Sequence, residues 1–392
     1  MTLARILYIQ YTNPSGYPPL EHSSRILADE GWQVIFLGTG VLGASNLSFP
    51  PHPNITVRQL SFCLPGWRQK LHYIWFCIWV VGWTLRWQPQ WVYASDLLAC
   101  PISFLLSFLP NVQLIYHEHD SPVEIPKNLF MRLCFSYRQR LANRAKICIL
   151  PNTKRVEWFA KSTNSEKKTI CVWNCPRKEE VVQRQNLNVS QPIRLYYHGN
   201  ISATLLPLSI LDAIAITCDK DGSNRVHLRV VGYTTIRNEG YLEILRHHAK
   251  SLGIEENLQI LSAVPRQRLL QLAHECDVGL ALMPMTSKNV NLNFLIGASN
   301  KPFDYLSCGL PLLVSDLPDW KEMYVESGYG LAANPEDPDS IARALRWYLE
   351  NPRGMRQMGE NARKRILEEW NYEKQFETVK NIMIHGHEAF TI

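Results

Sequence analysis

The residues best suited to chemistry lie in one short run, residues 300–316, which reads NKPFDYLSCGLPLLVSD. Asn300 is a residue type that commonly caps a helix, and Pro302 is tolerated in the first helical turn, where its missing N–H would be unpaired anyway. The start of such a helix presents free N–H groups and the positive end of the helix dipole, which bind anions such as a diphosphate. The run therefore predicts a phosphate site, to which Lys301 would add a positive charge.

The same run carries one carboxylate, Asp304, which we expect in the first turn of the helix. There it would complement the helix dipole, and it could also bind both hydroxyls of a ribose, as acidic residues do in dinucleotide folds. Gly309 is placed to end the helix, and the apolar residues 310–314 suit a strand of a parallel sheet covered on both faces. The pattern leaves two interpretations open: a nucleotide-diphosphate pocket, or an ordinary helix–strand unit.

Strand-like and helix-like segments alternate in two sets along the chain. The first set begins with a strand over residues 5–11 and ends near residue 172. The second begins with a strand over residues 193–198, and its last strand ends near residue 333. This alternation predicts a parallel sheet with crossover helices in each half. The length of 392 residues suits two domains, and the polar run 177–192 suits the linker between them.

Residues 300–316 resemble the donor-binding segment of the retaining GT-B glycosyltransferases of glycosyltransferase family 4, also called glycosyl transferases group 1. The resemblance extends, in order, over ARILYIQYTNPSGYPP, LIYHEHDSP, LYYHGNIS, LRVVGY and VGLALMP. It implies an α/β GT-B fold, in which two Rossmann-like domains face each other across a cleft and the C-terminal helix crosses back to the N-terminal domain. We therefore expect an acceptor domain over 1–176, joined by a helix over about 373–392, and a donor domain over 193–372.

The resemblance also implies the activity. It is the transfer of a hexosyl unit, with retention and without a metal or other cofactor, from a UDP- or GDP-sugar to a hydroxyl acceptor such as a lipid-linked or polysaccharide intermediate. No Asp-x-Asp motif follows a strand in the way that metal-dependent transferases require. Lys301 would stabilise the leaving diphosphate. The implied donor-binding residues are Gly16, Gly199, Asn200, Asn300, Pro302, Phe303, Asp304 and Glu322.

His117, Glu118, His119 and Asp120 follow the predicted strand 113–117 at its carboxyl end. As bare residues they suit a metal site, a general base or a polar loop. The resemblance favours His119 as the family's strand-end histidine, which reaches the sugar donor near the reacting carbon. Asp120 is the second catalytic candidate in this loop, and whether it or Glu118 assists as a base is open.

Two positions depart from the family pattern. Ile296 stands where the commoner motif has a Glu, so the sugar contacts would come from elsewhere, for example from Asn291 or Asn293. Gly199 is followed by Asn200, and residues 201–206 contain no base to hold the diphosphate. These departures keep other interpretations open: a noncatalytic GT-B partner subunit, a GT-B epimerase, or a glycosyltransferase that acts on small natural products.

Positive charge is concentrated in the N-terminal half. Met1–Asn174 carries 17 Lys and Arg against 9 Asp and Glu, a net charge of +8, while the remainder carries 24 against 26, a net charge of −2. The bases lie beside the aromatic run 66–91 and alternate with apolar residues in 131–146. We expect 73–85 to be a largely buried helix, and an anionic membrane surface is the alternative partner of both segments.

The ten cysteines show no regular spacing. The sequence shows no secretory leader, and it lacks the two pairs of metal ligands that a zinc site requires. This pattern favours reduced thiols in a cytoplasm, with a peripheral position at the inner face of the membrane if the basic segments bind lipid. No basic cluster accompanies a nucleic-acid fold signature, so the sequence predicts no nucleic-acid partner.

Overall fold

The computed structural model describes residues 4–41, 47–122, 128–184, 192–218, 225–235 and 238–385. The chain forms two compact units. The first unit comprises Met1–Asn174, Asn289–Ala298 and Tyr372–Ile392, and the second comprises Cys175–Lys288 and Ser299–Asn371. The C-terminal helix thus belongs to the first unit, as expected. The short segment Asn289–Ala298 also belongs to it, although the sequence placed that segment in the donor domain.

The first unit contains a seven-stranded parallel sheet with the strand order β3-β2-β1-β4-β5-β6-β7. Its five inner strands are rich in buried residues on both faces, as a parallel sheet covered on both sides requires. The strands of the sheet are β1 Arg5–Ile9, β2 Gln33–Thr39, β3 Ile55–Leu60, β4 Trp91–Ser95, β5 Gln113–His117, β6 Ile147–Leu150 and β7 Thr169–Cys171. Strand β3, at the edge of the sheet, was not predicted.

The second unit contains a six-stranded sheet with the order β10-β9-β8-β11-β12-β13, and its five pairs of neighbouring strands are parallel. Its strands are β8 Ile193–Asn200, β9 Val226–Tyr233, β10 Leu258–Ser262, β11 Val278–Ala281, β12 Leu312–Ser315 and β13 Gly330–Ala333. In both units the first strand of the set lies inside the sheet, and the order reverses on either side of it. Ligands of open α/β sheets bind at such a reversal, at the carboxyl ends of the strands.

Fourteen helices are found within the described residues. They are α1 Pro18–Asp29, α2 Trp67–Trp87, α3 Cys100–Leu106, α4 Leu129–Arg144, α5 Thr153–Thr163, α6 Ser209–Ile216, α7 Tyr241–Ser251, α8 Arg266–His274, α9 Val290–Asn293, α10 Asn300–Ser307, α11 Pro318–Trp320, α12 Pro338–Glu350, α13 Pro352–Glu368 and α14 Tyr372–His385. In the first unit, α1 and α14 share a core with one face of the sheet, and helices including α2 and α4 share a core with the other face. No helix in the described ranges is both long enough and apolar enough to cross a bilayer.

Helix α2 corrects the expectation of a largely buried segment. Its buried side chains are Tyr73, Phe76, Val80 and Thr84, which lie along one side of the helix. The opposite side is open to solvent, and Trp75 is 57% exposed there. The run was predicted to be buried because it is apolar all round, and hydrophobicity alone does not say how many sides of a helix find a partner.

Helix α10 and strand β12 form the predicted helix–strand unit, with two corrections at the start of the helix. Asn300 is its first residue and not its cap, which is Ser299, and no side-chain hydrogen bond caps the helix. Asp304 is therefore the fifth helical residue and lies in the second turn. Gly309 follows the helix with φ +67°, the left-handed conformation that ends many helices at glycine.

Candidate functional site

In the second unit, the carboxyl end of β8 closes around two glycines. Gly199 has φ +103°, a backbone conformation that residues other than glycine rarely adopt. Gly232, on the neighbouring strand β9, lies so close that a Cβ atom would be 1.9 Å from the carbonyl oxygen of Gly199. The two strand ends therefore require glycine at both positions. Because Gly199 has no side chain, there is room beside it for the side chain of Lys301.

Lys301 lies at the start of α10 and reaches over Gly199. A Cβ atom on Gly199 would be 3.4 Å from Lys301 Cε and 3.6 Å from Nζ. The ammonium group lies 5.6 Å from the centre of the Tyr197 ring and has no hydrogen bond or ion pair among the described residues. Burial lowers the pKa of Lys301 to about 8, although the nearby Asp304 carboxylate opposes the shift. Lys301 is thus a cation beside a helix N-terminus, where an anion would bind.

Asp304 lies in a buried network of charged groups that the sequence did not predict. The Arg266 guanidinium donates to both carboxylate oxygens of Asp304, at 2.7 and 3.1 Å, and to both oxygens of Glu180, at 2.5 and 3.0 Å. His198 Nε2 lies 3.3 Å from Asp304 Oδ2. Burial favours a raised pKa, but Arg266 and His198 hold the pKa of Asp304 below its usual value. We call these four residues, Glu180, His198, Arg266 and Asp304, the carboxylate cluster.

The carboxylate cluster changes what Asp304 offers to a ligand. The side chain is 1% exposed, and both of its oxygens already accept hydrogen bonds from Arg266. A ribose would have to share the carboxylate with Arg266 or displace it. The ribose-binding role of Asp304 stays a prediction, and the structure adds a role in holding α10 to α8 and to the turn Lys178–Glu180.

The remaining predicted donor residues differ in their surroundings. The Asn200 and Asn300 side-chain oxygens are buried and have no hydrogen-bond partner in the described part of the chain, so both are available to a ligand. Pro302 and Phe303 are buried, and the Phe303 ring packs edge-on against Trp370 at 5.8 Å; their donor-binding roles stay predictions. Glu322 is exposed, in the π-helical turn Lys321–Val325 after β12.

In the first unit, His119 is fixed by three contacts at the carboxyl end of β5. Its Nε2 lies 3.1 Å from Ser95 Oγ, its backbone N–H donates to Asp96 Oδ1 at 2.9 Å, and its carbonyl accepts from Arg155 at 2.6 Å. Burial, with the charge of Arg155, lowers the pKa of His119 to about 3. The imidazole is therefore neutral at physiological pH and offers a hydrogen bond without a charge.

The contacts of Glu118 and His117 argue against a catalytic role for either residue. Glu118 is 1% exposed and pairs through both oxygens with Arg138, while Tyr116 donates to it at 2.8 Å. Nδ1 of the fully buried His117 lies 2.6 Å from the Tyr93 hydroxyl. Asp120 is the exposed residue of this loop. The structure thus leaves His119 and Asp120 as the members of the run available for catalysis, and their catalytic roles stay predictions.

Asp96 is a candidate that the sequence did not reveal. It follows β4 with φ +62° and ψ 177°, a region that residues other than glycine occupy only under strain. Its carboxylate accepts from the His119 N–H and, at 3.5 Å, from the Gln10 amide, and no ion pair reaches it among the described residues. Burial, reinforced by the charge of Asp120, raises the pKa of Asp96 to about 8. Strained backbone of this kind is concentrated at functional sites.

Gly16 lies in the short turn Pro14–Gly16 after β1, where a Cβ atom would have no neighbour within 4 Å. The turn therefore has no steric need for glycine, in contrast to Gly199. The next residue, Tyr17, has its ring 5.1 Å from the His119 ring. The turn thus lies beside His119, and the donor-binding role of Gly16 stays a prediction.

Asn291 was proposed to replace the Glu that is missing at Ile296, but its side chain has a structural role. Its amide exchanges two hydrogen bonds with the backbone of Ser121, at 2.8 and 2.9 Å, and so anchors α9 within the first unit. Asn293 is exposed. Within the described ranges no group of three or more His, Cys, Asp or Glu side chains is arranged to hold a metal ion.

The residues that sequence reasoning missed are Asp96 and three members of the carboxylate cluster, Glu180, His198 and Arg266. Glu180 ends the turn Lys178–Glu180, His198 lies near the end of β8, and no motif in the sequence marks any of the four. Arg266 opens helix α8 directly after Pro265, and that position was the available signal. The partners of Arg266 are 86 and 38 residues away, so only the fold brings them together.

Residues 177–365 match the family model for Glycosyl transferases group 1. This stretch is a glycosyltransferase domain, as the sequence predicted. A curated GDP-mannose-dependent alpha-(1-6)-phosphatidylinositol monomannoside mannosyltransferase of Mycolicibacterium smegmatis is 24% identical over 149 residues. The alignment spans 38% of this chain and only 38% of the length of that relative.

Two solved structures are similar over nearly the whole chain. The Anabaena protein Alr3699/HepE, in complex with UDP and glucose, superposes with a TM-score of 0.69 at 16% identity, covering 97% of this chain and 99% of that one. Sucrose-phosphate synthase of Thermosynechococcus elongatus superposes with a TM-score of 0.68 at 14% identity, covering 97% and 98%. The predicted fold class is thus confirmed: the chain has the GT-B fold, built from two Rossmann-like units.

Proposed function

From a glycosyl transferases group 1 domain in a chain with the GT-B fold, we propose a retaining, metal-independent glycosyltransferase. It moves a hexosyl unit from a UDP- or GDP-sugar to a hydroxyl of a lipid-linked or polysaccharide intermediate. The observation that carries the proposal is the ammonium group of Lys301, which is held over Gly199 at the start of α10 and forms no ion pair with any described residue. The structure of Alr3699/HepE with UDP and glucose, and the GDP-mannose dependence of the mycolicibacterial relative, support a nucleotide sugar as donor.

Stabilisation of the leaving group supplies most of the catalysis. As the glycosidic bond lengthens, negative charge develops on the diphosphate. The Lys301 ammonium and the first N–H groups of α10 are already positioned to receive that charge. Because these groups need not reorganise during the reaction, they stabilise the transition state more than the ground state.

The first unit supplies a neutral hydrogen-bonding group and no protein nucleophile. His119 is held in place by Ser95, Asp96 and Arg155, and its low pKa keeps the imidazole uncharged near neutral pH. A neutral imidazole can orient a sugar hydroxyl without competing for the diphosphate. Glu118 cannot act as a base while Arg138 and Tyr116 hold it, so Asp120 is the accessible carboxylate of this loop.

A lipid-linked acceptor is favoured by charge. Residues 1–174 carry a net charge of +8, and the mycolicibacterial relative is a phosphatidylinositol monomannoside mannosyltransferase. We accordingly place the enzyme at the cytoplasmic face of a membrane. The alternative, an enzyme acting on a small dissolved molecule, would need no positively charged surface.

The test compares Lys301→Ala with Lys250→Ala, which removes an exposed lysine of α7. Thermal unfolding with UDP, GDP, UDP-glucose and GDP-mannose identifies the donor, because a ligand of the folded state raises apparent stability. With that donor, we expect Lys301→Ala to lower kcat by about 10²–10³-fold, the usual cost of removing a group that stabilises developing negative charge. Binding of the uncharged nucleoside should change little, and Lys250→Ala should behave as the wild type.

The pH dependence gives a second readout. Since the pKa of Lys301 is about 8, the wild-type kcat should decline as pH rises through that value and the cation is lost. Lys301→Ala should lack this decline, and Lys301→Arg should keep its activity to higher pH. An equal loss of affinity for the nucleoside and the sugar nucleotide would contradict the phosphate role. Failure of every nucleotide to raise the unfolding temperature would contradict the proposed function as a whole.

A further inference from the structure

Helix α2 presents a continuous apolar face to solvent. The side opposite its buried residues carries six large apolar side chains, each more than half exposed: Trp67, Leu71, Ile74, Trp75, Ile78 and Leu85. Trp67 reaches 68% exposure, and the spacing of three, four and seven residues places all six on one side of the helix. Leu64, just before the helix, is 66% exposed and extends this face. We call these seven residues the α2 face.

The α2 face is held outward by the contacts on the other side of the helix. The Tyr73 hydroxyl donates to the carbonyl of Leu98 at 2.8 Å, and the Tyr73 ring packs edge-on against Phe130 of α4. Phe76 and Val80 are fully buried against the sheet. Rotating the helix to hide Trp67 and Trp75 would expose these residues instead. The exposure is therefore a stable property of the first unit.

An apolar surface of this size on a soluble protein marks an interaction site. The charges around it identify the partner. Residues 31–95 contain no Asp or Glu, while Arg68, Lys70 and Arg86 lie on α2 itself. Residues 125–156 likewise contain no acid and carry eight bases, of which Arg132 and Arg140 are exposed on α4. Helices α2 and α4 therefore carry bases and no acidic residue.

This combination fits an anionic lipid surface better than a second copy of the chain. Two copies joined through their α2 faces would bring bases against bases, with no carboxylate on α2 to compensate them. In a bilayer interface, tryptophans lie at the level of the head groups, aliphatic side chains reach the acyl chains, and lysines and arginines contact anionic head groups. A helix that carries all three kinds of residue lies flat in the interface without crossing it.

We infer that helix α2 is a monotopic membrane anchor, whose α2 face inserts into an anionic bilayer and whose bases bind the lipid head groups. The inference deepens the proposed function, since it rests on a lipid-linked acceptor for its purpose, and it names the surface by which the enzyme reaches that acceptor. From the sequence, residues 73–85 were expected to be largely buried, with the membrane role as the alternative for the run as a whole. Within that run, Tyr73, Phe76 and Val80 belong to the core.

Co-sedimentation of the full chain with phosphatidylcholine vesicles, with and without phosphatidylglycerol, tests the inference. The apolar variant is Trp67→Ser, Ile74→Ser, Trp75→Ser and Ile78→Ser combined. Its control is Ile216→Ser with Ile244→Ser, two exposed isoleucines of the second unit. We expect the wild type and the control to bind phosphatidylglycerol vesicles at low salt. The apolar variant should bind at least tenfold more weakly.

A charge variant keeps the test decisive if the apolar variant folds poorly. Arg68→Gln with Lys70→Gln should weaken binding severalfold and flatten its salt dependence, because the attraction of bases to anionic head groups is screened by salt. Its control, Arg246→Gln with Lys250→Gln on α7, should bind as the wild type does. Unfolding temperatures near that of the wild type show that each variant is folded.

Three outcomes would overturn the inference. They are a wild type that ignores anionic vesicles at low salt, an apolar variant that binds as well as the control, and a wild type that forms dimers by light scattering which the apolar variant abolishes without any vesicle binding. Turnover of a water-soluble acceptor by the apolar variant separates the two proposals. If that turnover is retained while vesicle binding is lost, the anchor is needed for membrane binding and not for catalysis.

Discussion

The carboxyl ends of the two parallel sheets hold acidic groups in opposite ways. In the second unit, Asp304 is buried and ionised, because Arg266 binds both of its oxygens. In the first unit, Asp96 has no cationic partner among the described residues, and burial raises its pKa to about 8. The same edge of the same kind of sheet thus carries a compensated carboxylate in one unit and a largely protonated carboxyl group in the other.

The difference is consistent with what each unit would bind. Because Arg266 binds both oxygens of Asp304, that carboxylate is not free to pair with Lys301, and the ammonium group remains able to attract a diphosphate. A hydroxyl acceptor needs hydrogen bonds and no strong field, which suits a protonated Asp96 and a neutral His119. Two substitutions test whether the two carboxyl groups differ in this way, and a pair of glycine substitutions compares the turns beside them.

The largest effect is expected from Asp304→Ala. It leaves Arg266 buried with only Glu180 as its partner, and removing one member of a buried ion pair costs about 3–5 kcal/mol of stability. Denaturant unfolding measures this loss, and the exposed pair of Asp316 with Lys321 is the control. Asp316→Ala should cost less than about 1 kcal/mol. If Asp304→Ala unfolds like Asp316→Ala but no longer binds nucleoside diphosphate, then Asp304 serves the ligand and not the fold.

Asp96→Asn should change how stability depends on pH. The pKa of Asp96 is about 8 in the folded protein against an ordinary 3.8, so between these values the folded state holds a proton that the unfolded state has lost. The wild type should therefore lose stability as pH rises through this window, by at most about 1.4 kcal/mol per pH unit from this group. The variant has no such group, so its stability relative to the wild type should increase from about pH 5 to about pH 8.

Unfolding curves at several pH values, with the exposed Glu336→Gln as control, measure the Asp96 effect. Parallel stability profiles for the wild type and Asp96→Asn would mean that Asp96 titrates like an exposed acid. The contrast between the two carboxyl groups would then fail.

The smallest effects are expected at the two glycines that follow the first strands of the two sets. Gly199→Ala should destabilise the protein by about 1–2 kcal/mol, because φ +103° is unfavourable for a residue with a Cβ atom, and the new methyl group would crowd Lys301. Gly16→Ala meets no neighbour, and should stabilise by about 0.4–1 kcal/mol through the unfolded chain. Thermal unfolding measures whether each variant is less or more stable than the wild type. Equal changes in stability would show that the two turns do not differ in their need for glycine.

Local sequence patterns predicted the framework well. The alternating segments gave two parallel sheets, and the strands Gln113–His117 and Ile147–Leu150 lie where the apolar runs placed them. Gly309 ends α10 because a left-handed residue after a helix is a local requirement. The start of the same helix was less predictable. Ser299 and Asn300 are both good capping residues. In the structure Ser299 is the cap, and its side chain forms no capping hydrogen bond.

The sequence by itself determined which residues form most of the strands, where α10 ends, and that Lys301 stands at the start of a helix, because these depend on neighbours within a few residues. Only the tertiary structure decided that Arg266 reaches Asp304 and Glu180, and that Asp96 is strained beneath His119. It also decided which side of α2 meets the sheet. These features depend on groups brought together from distant parts of the chain, and burial among those groups sets both their charge and their exposure.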